Sequence, residues 1–254
     1  MKLYYQTIGE GRPLVILHGL FGSSDNWRGI AKQLAMYAQV ITVDLRNHGL
    51  SPHSSEQSYA LMAEDLAELF ERLQLDKVNI IGHSMGGKVA MAFSQRYPQW
   101  LDKLVVVDIA PKQYQDEHSV IFKALLALDL SLYASRNEVD KALKMTLPNK
   151  GVRRFLLMNL DLSGDQLRWR INLQALYNNY PQLLEAVCED ETITIVSCFI
   201  RGGQSDYIRD DDEDMIRSCF PYAEIATIEQ AGHWVHAEAP QQFLSKITEF
   251  LDYD

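Results

Sequence analysis

The chain has 254 residues, 47% hydrophobic and 23% charged, a balance that suits an ordinary globular protein of one large domain or one domain carrying an insertion. Its formal net charge of -10, with no clustered basic stripe, argues against nucleic acid or an anionic membrane surface as partner. Cys188, Cys198 and Cys219 are widely spaced and read as free, packed thiols of a reducing compartment. The N-terminus lacks a signal-peptide core and no apolar run approaches the ~20 residues of a membrane helix, so a soluble, cytoplasmic protein is expected.

In chain order, residues 3–8 read as a strand and Glu10-Gly11-Arg12-Pro13 as a turn. Leu14-Val15-Ile16-Leu17 is an all-apolar strand ending in His18-Gly19, and residues 39–43 form another, ending at Asp44; residues 27–36 between them look helical. Met62, Leu66, Leu69, Phe70 and Leu73 recur at helical spacing, which predicts a half-buried helix over 59–73. The apolar run 78–81 is a strand, 87–97 a helix, and Leu104-Val105-Val106-Val107 a strand ending at Asp108. Short runs buried on both faces and separated by helices mean a parallel sheet.

The pattern changes after Ala110-Pro111. Residues 113–189 show no convincing strand and break into helical stretches around 139–147, 152–159 and 166–180, punctuated by Pro148, Gly151, Gly164 and Pro181. The expected division is a core of residues 1–112 and 190–254, with 113–189 as an all-helical cap packed on it as a lid. Strands resume at 193–200 and 223–228. The acidic run Arg209 to Asp214 precedes a short helix over 215–219, where acids complement the helix dipole, so it reads as a solvated helix start. Phe243, Ile247, Phe250 and Leu251 mark a closing helix.

Gly82-His83-Ser84-Met85-Gly86 sits between a strand and a helix, the context of a nucleophile elbow. So sharp a turn needs small residues beside the serine. It exposes the Ser84 hydroxyl at the C-terminal edge of the sheet and at a helix N-terminus. Ligands of open parallel sheets bind beyond those strand ends. There, the N–H of Met85 and that of Leu20, after His18-Gly19, can form an oxyanion hole. His233, in Gly232-His233-Trp234 just after the last strand, is the candidate base. His236 and Glu238 complete an H-x-x-H-x-E string, but helical metal pairs usually sit at i and i+4 and no third ligand is evident; no metal is expected and His236 reads as a structural or pocket-wall residue. His83 cannot easily turn back on the hydroxyl, and His18 and His48 read as backbone hydrogen-bonding residues.

Two strand-end carboxylates compete to hold the imidazole: Asp108, and Asp206 in Gly202-Gly203-Gln204-Ser205-Asp206. The reading favours Asp108, with Ser205 as an extra hydrogen-bonding partner and Asp206 as the alternative acid.

Together, His18-Gly19, Gly82-His83-Ser84-Met85-Gly86-Gly87 and Gly232-His233 resemble the α/β-hydrolase superfamily across essentially the whole chain, in its order of serine first and histidine last. Asp44-Leu45-Arg46-Asn47-His48-Gly49-Leu50-Ser51-Pro52, Lys88, Val107-Asp108-Ile109-Ala110-Pro111 and Gly232-His233-Trp234-Val235-His236-Ala237-Glu238 narrow the resemblance to the YbfF-type bacterial esterases. That resemblance implies an α/β fold with a mostly parallel central sheet flanked by helices, and a helical cap over the pocket. It also implies esterase or acyl-thioesterase activity without a cofactor, Asp108 as the acid, and Ser205 as a fourth member of the arrangement; Asp206 beside that serine is a departure.

The substrate expected is a small acyl ester or thioester, in a pocket between sheet and cap lined by Phe21, Phe122, Trp169, Tyr177 and Trp234. Carbon–carbon bond hydrolases and lyases of the same fold keep the serine and histidine but need arginines for anionic substrates, which Arg153, Arg154, Arg168 or Arg170 would have to supply. A non-catalytic small-ligand receptor is the third reading.

Overall fold

The computed structural model describes residues 1–164, 166–188 and 191–253. Its strands are β1 (Tyr4–Ile8), β2 (Pro13–Leu17), β3 (Gln39–Asp44), β4 (Val78–His83), β5 (Leu101–Val107), β6 (Leu160–Asp161), β7 (Arg168–Trp169), β8 (Val196–Gly202) and β9 (Ala223–Ile228). The helices are α1 (Arg28–Leu34), α2 (Tyr59–Leu73), α3 (Met85–Arg96), α4 (Ser119–Leu126), α5 (Arg136–Leu143), α6 (Lys150–Leu156), α7 (Leu173–Asn178), α8 (Tyr180–Leu184), α9 (Glu213–Cys219), α10 (Val235–Glu238) and α11 (Pro240–Phe250).

Seven strands form one sheet in the order β1-β3-β2-β4-β5-β8-β9, with β1 antiparallel to β3 and every other pair parallel. The all-apolar strands are divided between two cores because successive side chains point to opposite faces. Val15 and Leu17 of β2 join one cluster with α2 and α3, whereas Leu14 and Ile16 join the other with α1 and α11. The same alternation sends Leu104 and Val106 of β5 to the first cluster, and Val105 and Val107 to the second.

Helix α2 has the bounds its apolar spacing predicts. Ser58 caps it by accepting the Leu61 N–H, and Gln74 ends it with φ 54°. A buried fork, Arg46 Nε and a terminal nitrogen on Asp65 at 2.6 and 2.8 Å, ties the loop after β3 to this helix.

The segment between β5 and β8 corrects one expectation: it is not all-helical. Leu160–Asp161 and Arg168–Trp169 pair as a two-stranded antiparallel ribbon, so the helix expected over 166–180 starts only at Leu173. Two-residue strands are too short to show alternation. The ribbon is held instead by Asp161, whose carboxylate accepts from Ser163 and Arg168. The expected core–cap boundary at 189–190 lies outside the described residues. Apolar residues of the segment, including Phe122, Leu156, Leu176 and Leu183, belong to the same cluster as α2 and α3. Tyr59 Oη donates to Leu183 O at 2.6 Å and Asn159 Nδ2 to Phe21 O at 2.7 Å, seating the segment over the C-terminal strand ends.

Candidate active site

Ser84 follows β4 and starts α3 with φ 51° and ψ -121°, a conformation that costs a non-glycine residue roughly 1–3 kcal/mol. The backbone around it fixes that turn: the Ser84 N–H donates to Val107 O at 2.9 Å, and Ser84 O accepts from Gly87 N at 2.8 Å. Its flanking glycines have a steric reason. A Cβ at Gly82 would lie 2.3 Å from Gly86 O, and one at Gly86 would lie 2.6 Å from both Leu17 O and His18 O. The chain is pinched on both sides of the serine, leaving Ser84 part-exposed between buried neighbours.

Loop 18–22 presses against this elbow. A Cβ at Gly19 would sit 3.2 Å from the Ser84 Cβ and 3.0 Å from His83 Nδ1. The Gly22 N–H closes a turn onto Gly19 O at 2.9 Å, and Phe21 takes φ 61° within it. Two buried imidazoles buttress the loop: His18 Nε2 accepts the Leu45 N–H at 3.0 Å, and His48 Nε2 accepts the Phe21 N–H at 3.3 Å. Burial holds both neutral, with His18 pushed down to about 4 and His48 to about 3. Among the described residues, neither the Leu20 nor the Met85 N–H donates to a backbone carbonyl.

His233 follows β9. Its Nδ1 stands 2.8 Å from Asp108 Oδ2, and Asp108, fully buried at the end of β5, has φ 51°. The Asp108 carboxylate also accepts from the Gly202 N–H at 3.0 Å and from the Ser205 hydroxyl. Asp206, the alternative acid, points away: it is 92% exposed and, among the described residues, pairs only with Arg209, at 3.9 Å. The strand-end geometry therefore brings Asp108, Ser205 and His233 together and leaves Asp206 out.

Three residues that support the imidazole were given no part in the catalytic site by the sequence. The Tyr207 ring stacks on it with centroids 3.9 Å apart and planes 19° from parallel. Tyr114 Oη holds that tyrosine by donating to Tyr207 O at 2.7 Å while accepting the Ala110 N–H at 2.8 Å. Glu238 accepts the Gly232 N–H at 2.6 Å and so clamps the turn before His233. The H-x-x-H-x-E string thus supplies a loop clamp. Its other histidine, His236, is buried face to face on Trp27 at 4.0 Å and pushed down to about 3 by that burial. Among the described residues no group of three or more possible ligands is placed to hold a metal ion. His83 is also kept neutral by burial, and its Nε2 lies 2.8 Å from His233 O, which can accept a hydrogen bond from it.

A cavity of about 530 Å3 opens between the sheet and the inserted segment, bordered by both Ser84 and His233. Phe21 and Trp234 line it, together with Ile121, Val152 and Phe155 of the segment. The other three expected pocket residues do not. Phe122 is fully buried behind Phe21, their rings 4.8 Å apart; Tyr177 packs on Phe122 at 5.7 Å; Trp169 lies in the ribbon against the apolar core. Of the four arginines named as candidates for an anionic substrate, Arg154 alone borders the cavity; Arg153 is paired with Asp140, Arg168 with Asp161, and Arg170 with Asp25 and Asp161.

A family model described as the alpha/beta hydrolase fold matches residues 12–240. The chain is an α/β-hydrolase. This hydrolase is 38% identical to the esterase YbfF of Escherichia coli over 250 residues, covering 97% of this chain and 96% of that protein. It is 39% identical over 251 residues to the sn-1-specific diacylglycerol lipase ABHD11 of Danio rerio, covering 96% of this chain and 79% of the relative. A solved structure, a marine microorganism esterase, superposes with a TM-score of 0.96 at 42% identity, covering 98% of this chain and 99% of that one. The hydrolase therefore has esterases and lipases as relatives and is of the YbfF type, and ester hydrolysis is the activity this kinship supports. No helix among its described residues is long and apolar enough to cross a membrane.

Proposed function

We propose that this protein is a serine esterase that cleaves a small acyl ester or thioester through an acyl-enzyme. The observation that carries the reading is the 2.8 Å contact of His233 Nδ1 with buried Asp108, on an imidazole that borders the same cavity as Ser84. A carboxylate on Nδ1 fixes the tautomer that leaves Nε2 free as the base. His233 takes the Ser84 proton as the hydroxyl attacks the carbonyl. The Leu20 and Met85 N–H groups hold the oxyanion, each contributing about 3–4 kcal/mol to the barrier reduction. The imidazolium then protonates the leaving group, and water, activated by the same base, releases the acid. Residues 113–189 act as the lid of the pocket. The three buried, free cysteines suit a cytoplasmic setting.

A carbon–carbon bond hydrolase has less support, because three of the four arginines that would grip an anionic substrate are engaged elsewhere. A fluorophosphonate probe tests the reading. Folded protein is expected to be labelled at Ser84 and to lose ester hydrolysis on labelling, with Ser84→Ala inert to both. Folded protein that stays unlabelled at Ser84 would overturn the esterase reading in favour of a receptor that only binds.

A further inference from the structure

Ser84 borders two chambers. Besides the cavity of about 530 Å3 there is a second, of about 50 Å3, and the two share Leu20, Ser84, His118 and Tyr207 as their common wall. His233 borders only the large chamber; Met85 borders only the small one. Resting on the serine-esterase reading above, we propose that the small chamber takes the acyl chain and the large chamber the alcohol. The enzyme is then selective for short-acyl esters of bulky apolar alcohols.

The assignment follows from where the proton must go. The imidazole protonates the departing oxygen, so the alcohol has to lie on the side of His233. The carbonyl's other substituent then points away from His233, past the Leu20 and Met85 amides, into the small chamber. At about 50 Å3 against about 530 Å3, the small chamber has about a tenth of the room of the large one and suits a short chain such as acetyl to butyryl. The large chamber has the volume of a typical ligand pocket, and Ile121, Val152, Phe155 and Trp234 give it an apolar wall.

The small chamber is also stiff. The Tyr59 hydroxyl is committed to Leu183 O at 2.6 Å, and the Tyr114 hydroxyl to Tyr207 O and the Ala110 N–H. Lys88, 1% exposed, donates to Glu185 O and lies over the rings of Tyr59 and Tyr114 at 5.5 and 4.9 Å. Widening the chamber for a longer chain would break these contacts, and a packed interior resists added methylenes.

The test is a two-way substrate series on the full chain: 2-naphthyl esters of straight-chain acids of two to twelve carbons, and acetates of straight-chain alcohols of two to ten. Expected is an acyl optimum at two to four carbons, with kcat/KM about 100-fold lower at eight, and acetates that improve at least 10-fold along the alcohol series. Leu183→Ala, with Leu183→Val as the milder variant should the first not fold, is expected to raise the octanoate-to-acetate ratio of kcat/KM at least 10-fold. Phe155→Ala is expected to leave that acyl ratio unchanged and to alter the alcohol series. An acyl optimum at eight carbons or more, or an acyl ratio that responds to Phe155→Ala and not to the Leu183 variants, would overturn the assignment while leaving fluorophosphonate labelling of Ser84 intact. Loss of that labelling in folded wild-type protein would remove the esterase reading itself, and this inference with it.

Discussion

Asp108 and His233 stand 125 positions apart in the chain, yet a carboxylate oxygen of one lies 2.8 Å from Nδ1 of the other. Asp108→Asn is therefore expected to lower kcat by about 10⁴-fold while leaving the fold intact, because an amide can hold the wrong imidazole tautomer. Asp206→Asn, on a side chain 92% exposed, is expected to stay within twofold of wild type. Steady-state kinetics of the two variants decide it; the opposite pattern would move the acid role to Asp206.

Glu238 positions the base without touching it. Glu238→Ala leaves the Gly232 N–H without its acceptor and frees the turn that carries His233. The expected result is a 10- to 100-fold lower kcat with KM within threefold, a loss of roughly 1.4–2.8 kcal/mol of transition-state stabilisation. Glu238→Gln keeps an acceptor oxygen and should recover most of the rate. Equal damage from both variants would point to charge, not the clamp.

Acid should destabilise this protein through its buried imidazoles. His18 is held at about 4, and His48 and His236 at about 3, each by burial, against an ordinary value of 6.5. As pH falls below 6.5 the unfolded chain binds protons that the folded one refuses, so stability falls from pH 6.5 down to 3–4, by up to about 1.4 kcal/mol per pH unit for each group. His236→Phe keeps the stack on Trp27 and removes one such group. Its Tm should decline less steeply than that of wild type between pH 6.5 and 4.5; parallel declines would refute the linkage.

Lys88 works in the opposite range. Burial pushes its ammonium down to about 7, against the pull of Glu185. Between pH 7 and the unfolded value of 10.5 the unfolded chain holds the extra proton, so this group makes wild type more stable as pH rises. Lys88→Met lacks that contribution. Urea unfolding at pH 7 and pH 9 should show the wild-type advantage over the variant growing with pH, and a constant difference would contradict it.

The sequence made some of this architecture legible for reasons that can be named. Helix α2 is amphipathic, so Met62, Leu66 and Phe70 mark its buried face. The elbow could be read because its glycines answer a local steric demand. The Asp108 choice needed more than local pattern, since Asp108 and Asp206 both lie in loops that follow strands and only the packing of those loops separates them. Pocket walls were the least legible. Composition and position put Phe122 at the pocket, but could not show that Phe21, packed against it, takes that wall instead. Tyr207 and Phe155, which do reach the site, lie in stretches with no distinguishing pattern.

His83 has a consequence for anyone transplanting this elbow into another scaffold. One edge of its ring limits the room at Gly19, and the other meets the main-chain carbonyl of His233. The residue ahead of the nucleophile thus gauges the spacing of two loops at once. A five-residue graft carrying Gly82 to Gly86 alone would import the kink and its ruler with nothing to measure; the recipient must also offer a glycine and a carbonyl at matching heights.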